Sequence, residues 1–107
     1  MKYLLLICAE PNVVVDETKI PDIEDWLAET GTRRLDGNQL EGVAQAATVR
    51  VRDGERLVTD GPFAETKEQI AGFDIIECGG RQEALEIAGR HPVAHFGSVE
   101  VRPFWSE

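Results

Sequence analysis

Apolar and polar residues alternate along several stretches of the chain, and each stretch predicts a β-strand. In residues 2–9 the side chains at odd and at even positions are both apolar, which is typical of a central strand covered on both faces. Residues 46–52 alternate strictly, and Asp53-Gly54 joins them to a second run over residues 56–59, which is a strong hairpin signal. Two more strands are predicted over residues 71–78 and 97–102.

Two other stretches have the 3.6-residue spacing of an amphipathic helix. The first helix is predicted over residues 21–30, because acidic side chains crowd its first turn and Gly31 provides a stop. The second is predicted over residues 81–90 and must end before Pro92, which cannot continue a helix. Loops are predicted over residues 10–19 and 32–42, the second with a turn at Asp36-Gly37.

This order of elements predicts an α+β fold in one domain over residues 1–107. The two helices alternate with four strands, which is the ferredoxin-like βαββαβ plan with right-handed crossovers. In that plan residues 2–9 form the central strand, residues 46–52 form the second strand of the sheet, and residues 56–59 add a hairpin arm. Both helices then lie on one face of a four-stranded antiparallel sheet.

The predicted plan leaves the second face of the sheet without a cover. That face of the first strand carries three apolar side chains, and leaving each of them in water forgoes roughly 1.5–3 kcal/mol. A second copy of the chain is the natural cover, so we expect a homodimer of the dimeric α/β-barrel kind. Polar side chains are expected on the same inner face, where they would line a pocket for a small molecule. They are Thr48, Arg50, Asp74, Glu100 and Arg102.

Composition limits the partners and the location of the protein. Twenty acidic residues against eleven basic ones give a net charge of −9, which argues against nucleic acid, because that partner needs a basic surface. The longest apolar run, residues 3–9, is far shorter than the roughly 20 residues of a membrane span and lacks the cleavage site of a signal peptide. We therefore expect a cytoplasmic protein that binds no membrane.

Metal and cofactor chemistry has little support in the sequence. Cys8 and Cys78 show no CxxC spacing and no neighbouring histidine pair, so no zinc site is predicted. In the predicted sheet they lie near opposite ends of neighbouring strands, roughly 20 Å apart, which excludes a disulfide between them. The chain has no glycine-rich phosphate loop and no nucleophile elbow, and no cofactor is expected.

Residues 59–68 read TDGPFAETKE, and shorter motifs accompany this segment along nearly the whole chain. In combination these motifs are highly specific, and the chain resembles the DGPF branch of the YCII-related family. The accompanying motifs are Lys2-Tyr3, ATVR at residues 47–50, Gly72-Phe73, EAL at residues 83–85, His91-Pro92 and GSVEVRP at residues 97–103.

The resemblance implies a bacterial protein whose fold is similar to that of dimeric α/β-barrel proteins such as muconolactone isomerase. It also implies action on small cyclic or chlorinated compounds, as in some family members, or an association with sigma factors, as for some DGPF proteins. Fold by itself does not fix the chemistry. Many relatives carry a histidine on the first helix that pairs with an aspartate in the cleft. That helix has Trp26 and no histidine here, so an Asp–His mechanism of this form is not expected.

Asp60 is the first candidate for a catalytic role. It stands where a strand enters the Gly61-Pro62 turn, so it either caps the turn or acts as a general base at the mouth of the pocket. In the second case a nearby arginine would tune its pKa. Arg50 is the candidate for that arginine and for holding an anionic substrate. A salt bridge from Arg50 to Glu100 or Asp74 is the alternative.

Two histidines and the last strand complete the set of candidates. His95 precedes the last strand and is the imidazole that a cleft could use for proton transfer. His91 stands at the end of the second helix, where histidine commonly interacts with the helix dipole, so it is expected to be structural. Glu100 and Arg102 are candidate substrate-binding residues on the inner sheet face. Packing in the core or in the interface is expected for Trp26, Phe104 and Trp105.

Two functions of different classes fit these residues. The first is a cofactor-independent isomerase or lyase that acts on a small cyclic or anionic compound, with Asp60 as base and Arg50 and His95 assisting. The second is a non-catalytic dimeric module that binds a metabolite or a protein in a regulatory role. The missing helix histidine and the acidic composition favour the second function, whereas the ionisable residues on a buried sheet face favour the first.

Overall fold

The computed structural model describes residues 1–10, 13–64 and 67–106. The strands in this part are β1 (Lys2–Ala9), β2 (Arg34–Gln39), β3 (Ala47–Arg52), β4 (Glu55–Asp60), β5 (Gln69–Glu77) and β6 (Ser98–Pro103), and the α-helices are α1 (Ile23–Thr30) and α2 (Arg81–Gly89). Four of these strands form one antiparallel sheet in the order β2-β5-β1-β6, and β3 and β4 form a separate two-stranded sheet. Outside the described residues lie Pro11 and Asn12 of the predicted first loop and Glu65 and Thr66 of the DGPF segment.

The predicted α+β class and the antiparallel sheet with two helices are confirmed. β1 lies in the interior of the sheet between β5 and β6, and the order of the four strands is compatible with the ferredoxin-like plan. β1 has the predicted bounds, and α1, α2, the hairpin, β5 and β6 lie within two residues of theirs. Asp22 caps α1 by accepting a hydrogen bond from the backbone N–H of Glu24 at 2.9 Å.

The prediction of a loop over residues 32–42 is wrong, because residues 34–39 form the edge strand β2. No alternation of apolar residues marks this strand, whose sequence is RLDGNQ, and the Asp36-Gly37 turn signal falls inside it. The backbone of β2 pairs with β5, with a register shift between Arg34 and Asp36. Tertiary pairing therefore overrides the local signal at this edge of the sheet.

The placement predicted for residues 46–52 is also wrong, although the hairpin itself is confirmed. As β3 these residues pair only with β4, since both edges of β5 are already occupied by β2 and β1. The turn residues Asp53 and Gly54 have φ angles of 54° and 76°, as a two-residue type I′ turn requires. We call residues 47–60, which comprise β3, this turn and β4, the arm.

The core lies between the two helices and one face of the sheet. The buried side chains of β1 are Tyr3, Leu5 and Ile7, and they pack with residues of α1 and α2. Trp26 of α1 donates a hydrogen bond from Nε1 to the backbone oxygen of Ile87 in α2 at 2.9 Å, which ties the two helices together. Neither helix of the described chain is long and apolar enough to cross a membrane.

No helix of the described residues lies against the other face of the sheet, which we call the open face. Its centre is formed by two cross-strand pairs of half-buried apolar side chains, Leu4 with Ile75 and Leu6 with Phe73. Glu100 and Arg102 of β6 lie on this face, as predicted, because they pair with Leu6 and Leu4.

Three polar residues that the sequence placed on the open face lie elsewhere in the structure. Asp74 was expected on the same face as Glu100 and Arg102, but it pairs with Leu5 and therefore points toward the helices. Thr48 and Arg50, also expected there, belong to the arm.

Cys8 and Cys78 are free thiols, which confirms that no disulfide joins them.

Removing a fully buried side chain tests the described core. Leu5 is completely buried, so Leu5→Ala should lower the free energy of unfolding by about 2–5 kcal/mol in urea titrations. Leu35→Ala removes the same atoms from a side chain that is half exposed, and its cost should stay within about 1 kcal/mol. Equal costs for the two variants would contradict this assignment of the core.

A candidate functional site at the edge of the sheet

A cleft of about 370 Å³ opens between α1 and the β2 edge of the sheet, on the face that the helices cover. This volume lies within the range of small-molecule sites, and the mixture of apolar walls with a few polar groups is typical of them. Apolar walls come from residues such as Ile7, Ile23 and Leu27. The polar residues that line it are Arg34, Asn38, Gln39, Asp74 and His91.

The Asp74 carboxylate is the most deeply buried charge of the cleft, with its side chain only 7% exposed. Nε of Arg34 donates a hydrogen bond to Oδ1 of Asp74 at 2.7 Å. Burial raises the pKa of the Asp74 carboxyl above its ordinary value, and the bond and positive charge of Arg34 limit that rise. The ion pair therefore holds a carboxylate in a place where an unpaired one would be costly.

The second carboxylate oxygen of Asp74 faces the cleft. Oδ2 has no hydrogen-bond partner among the residues that the structure describes. Every fully buried side-chain oxygen or nitrogen in that part of the chain does have a partner. Oδ2 must therefore be accessible to solvent, and Asp74 lines the cleft. A carboxylate with one oxygen fixed and the other accessible is a suitable proton acceptor.

Arg34 keeps two donor groups free for a ligand. Its side chain is 30% exposed, and within the described chain neither Nη1 nor Nη2 makes a hydrogen bond. A guanidinium can bind a carboxylate through two parallel hydrogen bonds. With Nε committed to Asp74, the orientation of the guanidinium is fixed before a ligand arrives. Arg34 can therefore hold an organic anion at the mouth of the cleft.

Gly37 makes room for this ion pair. A Cβ atom on Gly37 would collide with the Asp74 carboxylate and would come within 2.5 Å of Nη2 of Arg34. The backbone of β2 passes directly beside the pair because this position carries no side chain. Asp36-Gly37 thus serves close approach within a strand, where the sequence had predicted a turn.

His91 is buried beside Trp26 at the inner end of the same cleft. Its Nδ1 accepts a hydrogen bond from the backbone N–H of Val93 at 3.1 Å, and its ring meets the Trp26 ring edge-on with centroids 4.7 Å apart. Burial lowers the pKa of His91 from 6.5 to about 4, so the imidazole is neutral at pH 7. Because Nδ1 is an acceptor, the neutral ring carries its proton on Nε2. His91 is therefore a neutral ring that caps the turn at residues 92–95, where the sequence had predicted an interaction with the dipole of the second helix, and it presents Nε2 as a donor.

The structure does not bring Asp60 and Arg50 together within one chain. Asp60 pairs with Ala47 and Arg50 pairs with Leu57, which places the two side chains on opposite faces of the arm. The Arg50 guanidinium instead lies 5.0 Å from the centroid of the Phe63 ring. Asp60 is exposed, and its side chain makes no hydrogen bond within the described residues, so the expected turn cap does not form.

The remaining residues that the sequence proposed for a site, Thr48, His95, Glu100 and Arg102, do not line the cleft. The Thr48 hydroxyl donates to the backbone oxygen of Gly61 at 2.8 Å. His95 is exposed and lines a shallow depression with Asp25, Glu29 and Arg90 on the outer side of the helices. Glu100 and Arg102 form an exposed ion pair of 3.7 Å on the open face.

The cleft residues could be recognised only in part from the sequence. Asp74 is a lone acidic residue inside a strand that is otherwise apolar at alternate positions, and a buried charge of this kind needs a partner. No comparable signal marks Arg34, because the strand that positions it has no apolar alternation. Among residues 1–10, 13–64 and 67–106, no cluster of three or more His, Cys, Asp or Glu side chains is arranged to hold a metal ion.

An antiparallel sheet with two helices on one face defines a small α+β protein, and the partly buried Arg–Asp pair in the cleft at its edge is its candidate site. The chain matches the model of the YCII-related domain over residues 1–106, and it belongs to that family. The resemblance seen in the sequence is therefore confirmed. The chain is also similar to an uncharacterized protein of Rhizobium meliloti (strain 1021), with 53% identity over 60 residues. This match covers 54% of the chain and 48% of that relative, about half of its length.

Adding a methyl group at Gly37 tests whether the ion pair needs this position. Gly37→Ala should lower the free energy of unfolding by about 1–3 kcal/mol, because its Cβ would displace the pair. Gly42→Ala is the matched control: Gly42 has an ordinary φ of −61° and open space around its Cα, so a neutral or slightly stabilising effect is expected. In an Asp74→Ala background the cost at Gly37 should largely disappear, and a cost that persists there would contradict the proposed contact.

The pH dependence of stability tests the environment of His91. The unfolded chain binds a proton on this ring near pH 6.5, whereas the folded chain binds it only near pH 4. Stability is therefore fully present above pH 6.5 and falls by about 3 kcal/mol as the pH drops to 4. In His91→Asn the amide oxygen can still accept the Val93 N–H, but it does not titrate, so this part of the pH dependence should vanish. His95→Asn, at an exposed site, should keep it.

Proposed function

We propose that this protein binds a small organic anion in the cleft between α1 and β2 and transfers a proton on it without a cofactor, as a homodimer. The observation that supports the proposal is the Arg34–Asp74 pair itself. Its arginine keeps two free donors and its aspartate keeps one accessible oxygen, and both side chains line the same cleft. A cation that anchors a substrate beside a base of raised pKa is a common arrangement for proton transfer.

In the first step Arg34 binds a carboxylate of the substrate through Nη1 and Nη2. The apolar walls of the cleft then enclose the rest of a small cyclic or unsaturated compound. Because Nε of Arg34 is held by Asp74, the bound anion is fixed relative to the carboxylate of that residue. Positioning of this kind supplies much of the rate acceleration in reactions of small molecules.

In the second step Oδ2 of Asp74 removes a proton from a carbon next to a carbonyl group of the substrate. The electron pair of the broken C–H bond moves to the carbonyl oxygen and forms an enolate. Nε2–H of His91 is the available donor for such an oxyanion, because the ring is held neutral with its proton on Nε2. Return of the proton from Asp74 to another carbon gives an isomer of the substrate.

In this proposal Asp74 replaces Asp60 as the base, His91 replaces His95 as the assisting imidazole, and Arg34 replaces Arg50 as the residue that holds the anion. Within one chain the first three residues share no cleft, whereas the second three do. The change follows from the position of β2, which the sequence did not predict. The reaction class proposed from the sequence, an isomerisation or elimination on a small cyclic or anionic compound, stays the same.

The dimer is proposed from the open face of the sheet. Both helices pack on the opposite face, and Leu4, Leu6, Phe73 and Ile75 remain only half-buried on this one. A second copy covers this face when the two sheets pack against each other, as in dimeric α/β barrels. The cleft opens on the helix side, so each copy keeps its own site accessible.

A non-catalytic binding module is the second candidate function. The observation that favours it is the state of His91, whose Nδ1 is occupied by a backbone N–H and whose pKa of about 4 leaves it a poor base. In that case Arg34 would hold the same organic anion, and no proton would move. Binding without exchange of substrate protons identifies this function.

Ligand binding can be measured through Trp26, which lines the cleft. Trp105 is the second of the two tryptophans and is 87% exposed, so a Trp105→Phe background leaves Trp26 as the reporter. We expect benzoate and related small carboxylates to change its fluorescence saturably. Arg34→Gln should weaken binding by at least about tenfold, since it removes the charge. Arg33→Gln is the matched control, because Arg33 bonds to Glu29 and Thr30 away from the cleft.

Proton transfer can be measured separately by hydrogen–deuterium exchange in D₂O. Unsaturated and keto acids that bind should lose the NMR signal of the proton next to their carbonyl group in the presence of the protein. Asp74→Asn keeps an oxygen for Nε of Arg34 but removes the base, so exchange should fall by about 10²–10⁴-fold while binding is retained. Exchange that persists in Asp74→Asn would exclude Asp74 as the base, and unchanged binding in Arg34→Gln would exclude the anchor.

A further inference from the structure

The arm has an apolar face that nothing in the described chain covers. Val49 and Val58 are cross-strand partners on this face, and Val51 lies beside them. Their exposed fractions are 58%, 57% and 59%, although β-branched side chains in a strand normally pack against a second layer. Three neighbouring valines that face water form the kind of apolar patch that marks an interaction surface.

The arm also has little support from the other described parts of its own chain. Its two strands pack on each other, and the other helices and strands of the described residues make at most marginal contact with them. A single two-stranded hairpin is marginally stable at best in water. The chain measures only 18 Å along its shortest axis, so the arm extends sideways from the body and does not fold back over the sheet. Its cover must come from another molecule.

The base of the arm is nevertheless built to hold it in place. The backbone N–H of Gly61 donates to the oxygen of Ala46 at 2.8 Å, which closes the base. On the face opposite the valines, Arg50 stacks on Phe63. The polar face of the arm is thus fixed to its own chain at the base, and the valine face is left for a partner.

The same chain carries a surface that matches the valine face. The open face of the sheet has an apolar centre, and at its β6 margin it carries one acid and one base, Glu100 and Arg102. The valine face likewise has an apolar centre, with Arg56 near the tip and Asp60 at the base. When the two surfaces meet, Glu100 therefore has Arg56 as a partner of opposite charge, and Arg102 has Asp60.

We propose that the partner of the arm is a second copy of this chain, with the valine face lying along the β6 margin of the other copy's open face. The contact is reciprocal, so each copy clasps the other, and two such contacts close a symmetric dimer. The two arms then enlarge the contact between the sheets and cover the edge of that contact at β6. This inference rests on the dimer of the proposed function and adds to it the element that holds the copies together.

Excision of the arm tests this inference directly. The hydrogen bond between Ala46 and Gly61 places the two ends side by side, so residues 47–60 can be replaced by two glycines. The core contains no residue of the arm, and the shortened chain should therefore fold. We expect its dimer dissociation constant in sedimentation experiments to rise by at least about a hundredfold. A shortened chain that dimerises as tightly as the full chain would overturn the inference and leave the sheet-to-sheet dimer intact.

Conservative substitutions that keep the arm folded can distinguish the contributions of its two faces to dimerisation. Val49→Thr with Val58→Thr retains β-branched side chains but makes the valine face polar, and the dissociation constant should rise by at least about tenfold. Leu57→Thr changes the opposite face of the same arm and should have little effect. Equal effects from both faces would contradict the assigned orientation. A full chain that is monomeric at all concentrations would refute the proposed dimer and the arm contact, but not the function of the cleft.

Discussion

The buried carboxylate of Asp74 is the constraint on which the site depends. A charge on the helix-covered face of a sheet needs a partner, and Arg34 provides it through a 2.7 Å bond from Nε. Arg34 reaches Asp74 because β2 runs beside β5, and β2 comes close enough because Gly37 has no side chain. An acidic residue in one strand thus accounts for Arg34 and Gly37 in a second strand that has no apolar pattern of its own.

The Arg34–Asp74 pair both stabilises the fold and lines the cleft. One oxygen of Asp74 and one nitrogen of Arg34 hold the structure together, and the remaining oxygen and nitrogens stay available to a ligand. The same burial that raises the pKa of Asp74 lowers that of His91, so an aspartate with increased basicity lies in one cleft with a neutral imidazole. Environment, more than residue type, separates the two roles.

The proposed assembly rests on a surplus of apolar surface in a strongly acidic chain. A net charge of −9 opposes non-specific association, so an interface of this protein needs specific apolar contacts. Two such surfaces occur in the described chain, the open face of the sheet and the valine face of the arm. The open face lies on the opposite side of the sheet from the cleft, so substitutions on the open face do not alter the lining of the cleft directly.

The sequence by itself determined the elements with strong periodicity: β1, both helices, the hairpin of the arm, β5 and β6. It also determined the family, through the DGPF segment and its companion motifs. Only the tertiary structure decided that residues 34–39 form a strand, that the arm stands apart from the main sheet, and that Asp74 points toward the helices. The physical reason is that these features depend on partners distant in the chain. Local pattern indicates where a strand or a helix forms, but only the fold shows which neighbours each side chain meets.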